Sequence, residues 1–279
     1  MTRRRNVVPA PDGAVPGSCG AFGASGAPGT PAGIDSLQRG LEALRCFRDG
    51  ENTLSSLEIA HRLELPKQTT RRLLETLEAQ GFLLRAPGTD DFGLHVACLS
   101  IGYALMNNSV LVRQATPVLH SLANTFGVHA LLCVRDRHDM LVLALAQGLG
   151  APGWGLGAGS HLPIADTAPG HAWLWMQSTA VQGEWLDRLR TRHAATGGSA
   201  RVAAIYRSFQ SLEQSRTCLS LGEWRKDVEF VAAPVELPDW SGMVIGCVRL
   251  GQEPTRERFA RDCAAAVARA ARSVRQNPL

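Results

Sequence analysis

The stretch Ser55-Ser56-Leu57-Glu58-Ile59-Ala60-His61-Arg62-Leu63-Glu64-Leu65-Pro66-Lys67-Gln68-Thr69-Thr70-Arg71-Arg72-Leu73-Leu74-Glu75-Thr76-Leu77 decides the fold. Ser55 followed three residues later by Glu58 is a capping-box pattern, and Leu57, Ile59, Ala60 and Leu63 give the short helix after it an apolar side. Glu64-Leu65-Pro66 interrupts that helix. Proline tolerates the first helical position, so Pro66 also opens a second helix, which buries Leu73, Leu74 and Leu77 until Gly81 stops it. Two short helices joined by a three-residue turn make a helix-turn-helix.

Working outward, Ser36–Phe47 places Leu37, Leu41 and Leu44 at helical spacing, with Ser36 as its cap. Downstream, Phe82-Leu83-Leu84-Arg85 and Asp91-Phe92-Gly93-Leu94 flank the polar turn Pro87-Gly88-Thr89-Asp90, which predicts a two-stranded wing. Residues 34–95 therefore read as a winged helix-turn-helix. The second helix of such a pair meets base edges with its first turns. Lys67, Gln68, Thr69, Thr70, Arg71 and Arg72 are the candidate DNA contacts; Arg can grip guanine and Gln adenine in bidentate fashion, while Lys and Thr also suit phosphates. The plainer alternative is a solvated helix face. Between Ser36 and His95 stand eight Arg or Lys against nine Asp or Glu, so the positive charge has to be concentrated on one face, which Lys67, Arg71 and Arg72 allow.

The remaining chain sets the frame. Its 279 residues suit two domains; 45% are hydrophobic and 19% charged, an ordinary globular balance, with a net charge of +4. Residues 1–33 hold seven glycines and five prolines and almost no large apolar side chain, which predicts a disordered tail. Arg3-Arg4-Arg5 is followed by Asn6-Val7-Val8-Pro9 rather than by an apolar export segment, and no run of about 18 apolar residues occurs, so the expected location is the cytoplasm, with no membrane partner. Seven cysteines without a CxxC pair predict buried thiols, and neither a metal nor a cofactor is expected. Helical runs at Val96–Met106 and Val110–Phe126 give a linker at 96–112. Strands at Val128–Arg135, Met140–Ala146, Thr217–Leu221, Glu229–Val235 and Met243–Leu250, with helices at Pro169–Gln177, Val181–His193, Ala203–Gln214 and Arg256–Arg272, make 113–279 an α+β domain.

Taken together, Ser36-Leu37-Gln38-Arg39-Gly40-Leu41-Glu42-Ala43-Leu44, the helix-turn-helix run and Gly81-Phe82-Leu83 resemble the IclR family of bacterial transcription regulators. So do Gly159-Ser160-His161-Leu162-Pro163-Ile164, Thr167-Ala168, Gly170-His171-Ala172, Leu221-Gly222-Glu223-Trp224 and Ala232-Ala233-Pro234-Val235 in the second half. The resemblance spans about residues 34–275. It implies a winged helix joined by a linker helix to a GAF-like α+β effector-binding domain, a homodimer or homotetramer, a pseudo-palindromic double-stranded DNA operator, more often repression, and a small-molecule effector. Carried over, the effector pocket takes Ala168, Pro169, Ser220, Cys247 and Arg249. An inward Arg249 favours a carboxylate ligand; by strand alternation Arg249 equally faces outward. The wing departs from the family pattern: Phe92-Gly93-Leu94-His95 follows Asp90 and Asp91, which argues against phosphate contacts there.

Other signals point nowhere further. Gly148-Leu149-Gly150-Ala151-Pro152-Gly153 matches GxGxxG, yet no helix follows to hold a pyrophosphate, so it reads as a flexible loop near the sensor pocket. His161, Asp166 and His171 lack a third ligand or a nucleophile and read as surface or pocket-rim residues, while Trp173 and Trp175 read as packing. No nucleophile, base and oxyanion grouping is spaced for catalysis, so no catalytic residue is assigned. The alternatives to a regulator are a ligand-binding enzyme and a winged-helix protein-interaction module.

Overall fold

A computed structural model of the chain describes residues 34–48, 50–192, 197–236, 242–251 and 256–276; the tail expected at 1–33 lies outside them. The chain divides into two compact units between Leu105 and Met106. No helix among the described residues is long and apolar enough to cross a membrane.

The first unit carries α1 (Asp35–Leu44), β1 (Leu54–Ser55), α2 (Ser56–Leu63), α3 (Lys67–Ala79), β2 (Leu83–Arg85), β3 (Asp91–Leu94) and most of α4 (Cys98–Asn108). The capping box forms as expected: the Ser55 hydroxyl accepts from the Glu58 N–H at 3.2 Å, and the Glu58 carboxylate accepts from the Ser55 N–H at 2.8 Å. Glu64 ends α2 in the left-handed region at φ 53°, and Pro66 is the cap of α3. Ser36 is not a cap; Ile34 occupies that position without a side-chain bond, and Ser36 sits inside the helix. The core of this unit is Ala43, Cys46, Leu54, Ile59, Leu74, Leu83 and Phe92. Leu37, Leu41 and Leu57, expected on the inner sides of their helices, are instead exposed. The wing hairpin pairs Leu83 with Leu94 and Arg85 with Phe92, and gains a third strand because Leu54 and Ser55 pair with Phe92 and Asp91.

The second unit is one antiparallel sheet ordered β6-β5-β4-β9-β8-β7: β4 (His129–Asp136), β5 (Asp139–Gln147), β6 (His161–Pro163), β7 (Cys218–Leu221), β8 (Val228–Val235) and β9 (Met243–Leu250). The packed helices are α5 (Val110–Phe126), α6 (Ala168–Trp175), α7 (Thr179–Arg192), α8 (Gly198–Ser215) and α9 (Arg256–Gln276). Strand alternation separates two cores. Leu131, Cys133, Phe230, Ala232 and Val248 join Trp173, Leu186 and Ile205 on the α6–α8 face. Ala130, Leu132, Val231, Ile245 and Cys247 join Leu119 and Val267 on the α5–α9 face. A β-carbon on Gly170 would come within 2.3 Å of Ile164, so only glycine lets α6 lie this close to the 3-10 turn Ile164–Asp166 before it.

Candidate functional site

In the first unit the packing of α3 sorts the candidate DNA contacts. Thr70 and Leu74 are its fully buried residues. Thr70, expected among the contacts, is therefore withdrawn from any ligand: its hydroxyl donates to the Pro66 carbonyl at 3.2 Å, a bond that ties the helix back onto its own first turn. Opposite that seam lie Gln68 and Arg72, four residues apart on the exposed face, flanked by exposed Lys67 and Arg71 and half-buried Thr69. Arg71 also pairs with Glu75 at 2.9 Å, so its charge is shared along the helix. The wing's one arginine is committed. Arg85 holds Asp90 at 2.7 Å and Glu78 at 3.2 Å and lies 4.5 Å over the Phe92 ring. Bonds from Ser56 and charge from the nearby arginines hold the Asp90 carboxyl below the usual range, so the wing turn presents a carboxylate rather than a cation.

In the second unit the five expected effector residues fall on both faces of the sheet. Ala168, Pro169 and Ser220 come together, all buried, with the Ser220 hydroxyl accepting from the Ala168 N–H at 2.9 Å. Cys247 and Arg249 lie on the opposite, α5–α9 face, because register pairs Cys247 with Val231 and Arg249 with Glu229. Arg249 is no free cation for a carboxylate. It donates to Glu229 at 2.5 Å and 3.0 Å and stacks 4.6 Å from the Phe259 ring centroid. Val248 and Leu250, each one position over, are on the Ser220 side.

His171 is no rim residue either. It is a fully buried residue of α6 itself, where Nε2 donates to the Ala165 carbonyl at 2.9 Å and Nδ1 faces the Ser208 hydroxyl at 2.8 Å. Burial depresses its affinity for a proton below the ordinary value of 6.5. The unfolded chain then binds more protons than the folded one between the folded value and 6.5, so stability is complete above that window and falls as pH drops through it. Urea midpoints at pH 7.5 and 5.5 should fall further for the native protein than for His171→Gln; equal falls would place the acid sensitivity elsewhere. His161, by contrast, is exposed beside Asp136 at 3.5 Å. No cluster of three potential metal ligands occurs among the described residues.

The sequence reading missed the aromatic group on the α6–α8 face. Trp154, on the glycine-rich loop after β5, is buried against Trp224, Phe230 and His129. A single tryptophan between glycines carries no periodicity, so only the fold could reveal it.

Residues 36–87 match the IclR helix-turn-helix domain. Among solved structures, the IclR family transcriptional regulator from Brucella abortus is 30% identical, with a TM-score of 0.83, covering 90% of this chain and 95% of that one. The glycerol operon regulatory protein of Streptomyces griseus is 29% identical over 248 residues, 85% of this chain and 96% of its own. An IclR homolog complexed with 4-hydroxybenzoate from Microbacterium hydrocarbonoxydans shares the fold at 17% identity and a TM-score of 0.63, over 85% of this chain and 99% of that one.

Proposed function

Because the chain belongs to the IclR family of transcriptional regulators, we propose that it represses transcription as a homodimer on a pseudo-palindromic operator, reading bases through the outer face of α3 while a small molecule in the second unit changes its affinity for DNA. The observation that carries this reading is the division of α3 into a buried seam at Thr70 and Leu74 and an opposite face bearing Gln68 and Arg72. Pairing of two chains is supported by the run from the wing into α4. Val96 and Leu99 are 79% and 75% exposed in the single chain, and Ile101, Tyr103 and Leu105 are exposed as well, an apolar helix that a second copy would cover. The effector is supported by the fold: the same architecture holds 4-hydroxybenzoate in the Microbacterium protein. A ligand that binds one dimer geometry better than the other shifts DNA affinity by its differential binding, ordinarily ~1–3 kcal/mol.

The test is fluorescence anisotropy on the DNA upstream of the gene against scrambled DNA at several salt concentrations. The expected preference is roughly 10³-fold or more, with a shallower salt dependence on the native sequence. Absence of binding to any DNA at low salt would remove the reading. Sedimentation of the same sample should give a dimer, or a tetramer built from two.

A further inference from the structure

Two histidines of the second unit are built on one plan and differ at a single atom. In His171 a backbone carbonyl takes Nε2 and a hydroxyl takes Nδ1. In His129, only 2% exposed, the Pro152 carbonyl takes Nε2 at 2.7 Å, and Nδ1 has no hydrogen-bond partner. A carbonyl oxygen can only accept, so Nε2 carries the proton in both, and Nδ1 of the neutral ring presents a lone pair. His171 has Ser208 to supply a proton donor there. His129 has nothing.

The space beside His129 is taken by the Trp154 indole, 7% exposed, with ring centroids 5.9 Å from His129, 5.9 Å from Phe230 and 6.5 Å from Trp224. Its Nε1 donor is also without a partner. Two buried polar atoms in adjoining rings have thus given up water with no hydrogen bond in return, an arrangement native cores rarely keep without a use for it. The indole is delivered by a glycine-rich loop, held beside it where Gln147 donates to the Ala151 carbonyl at 2.8 Å and His129 to the Pro152 carbonyl. Six glycines stand between 148 and 159. The loop is pinned at its root, where a β-carbon on Gly148 would come within 2.1 Å of the Ala123 carbonyl, and at its return, where the Gly159 N–H donates to the Val142 carbonyl at 2.8 Å. Between these points Trp154 sits between Gly153 and Gly155, the latter at φ +75°.

We infer that His129, Trp224 and Phe230 form a ligand seat which the Trp154 indole fills in the free chain, and that its ligand is an uncharged phenol, whose hydroxyl donates to His129 Nδ1 while its ring replaces the indole. This deepens the proposed function and rests on its premise that the second unit holds the effector. The ligand is flat because the walls are aromatic rings. It carries a donor because the orphaned atom is a lone pair. It is uncharged because a carboxylate would meet that lone pair, and the arginines nearby are committed: Arg225, over the Trp224 ring, holds Asp227 at 3.0 Å, and Arg249 lies on the other face with Glu229.

Calorimetric titration of the full chain with phenol, toluene and benzoate tests this without any substitution. Phenol should bind at least about tenfold more tightly than either, the cost of leaving the histidine nitrogen unpaired or opposing it with a carboxylate. In 19F spectra of 5-fluorotryptophan-labelled protein, the line lost in Trp154→Phe should move to a solvent-exposed position as phenol is added. Trp154→Ala removes the competing indole and should tighten phenol by about tenfold or more, since the seat then stands open. His129→Phe should bring phenol down to the level of toluene. Equal binding of phenol and toluene, tighter binding of benzoate, no binding of any of the three, or loss of phenol binding in folded Trp154→Ala would each overturn the proposal. Operator affinity measured without phenol judges the regulator reading by itself. A chain that binds phenol and no DNA keeps the seat and loses the regulator; one that binds DNA and no phenol does the reverse.

Discussion

Arg72→Ala should lower affinity for the operator by roughly 30-fold to 10⁴-fold, because a lost base contact costs ~1–3 kcal/mol and a symmetric dimer loses it in both half-sites. The side chain is exposed on the face of α3 opposite Thr70 and Leu74, so removing it leaves the core of the first unit untouched. Scrambled DNA should lose far less, since a base contact is absent there to begin with. Arg71→Ala serves as the comparison. Its guanidinium is held by Glu75 at 2.9 Å, which makes it a weaker reader and a better phosphate neighbour, and its loss should weaken both DNAs alike. Anisotropy on both DNAs with the two variants separates these roles. If Arg72→Ala bound the operator as the native chain does, α3 would not be reading bases, and a protein partner for the winged helix would become the stronger alternative.

How much of this was legible in the sequence depended on whether a signal was local. Ser55 and Glu58 bond to one another across three residues, so the start of α2 could be read directly. The break at Glu64 could be read too, because proline and a short polar gap forbid a continuous helix. The inner side of α1 could not, because Leu37 and Leu41 match helical spacing equally well whether the stripe faces its own core or lies exposed, and it is exposed. Thr70 differs for a related reason: a small polar residue within a basic run looks like a surface position, and only the packing of α3 shows that it is buried. The strand β1 has two residues, too few to show alternation, and exists because β3 offers them an edge. The effector residues split by face because a one-residue shift along β9 exchanges the two sides of the sheet. Family likeness points to a strand and does not fix its parity. The ring group around Trp154 gathers from a loop, from β4 and β8 and from the segment after β7, and no local pattern links them.

Glu229→Gln should destabilise the second unit by about 3 kcal/mol or more, the usual cost of removing one partner from a buried ion pair. Glu229 and Arg249 face each other across β8 and β9 with side chains only 4% and 12% exposed, so the substitution takes a buried carboxylate away from a guanidinium that bulk water scarcely reaches. At ~2–4 °C per kcal/mol for a domain of this size, the Tm should fall by roughly 10 °C. The pair Glu229→Leu with Arg249→Met should recover most of that loss, because removing both members of a buried pair costs less than removing one. This comparison also decides what Arg249 is for. If it serves the packing of α9 through Phe259, the folded double variant keeps its response to small molecules, since the seat beside His129 lies across the sheet. If the double variant folds and binds operator but no longer responds to any ligand, Arg249 belongs to the effector site after all, and the assignment of the two faces would have to be reversed.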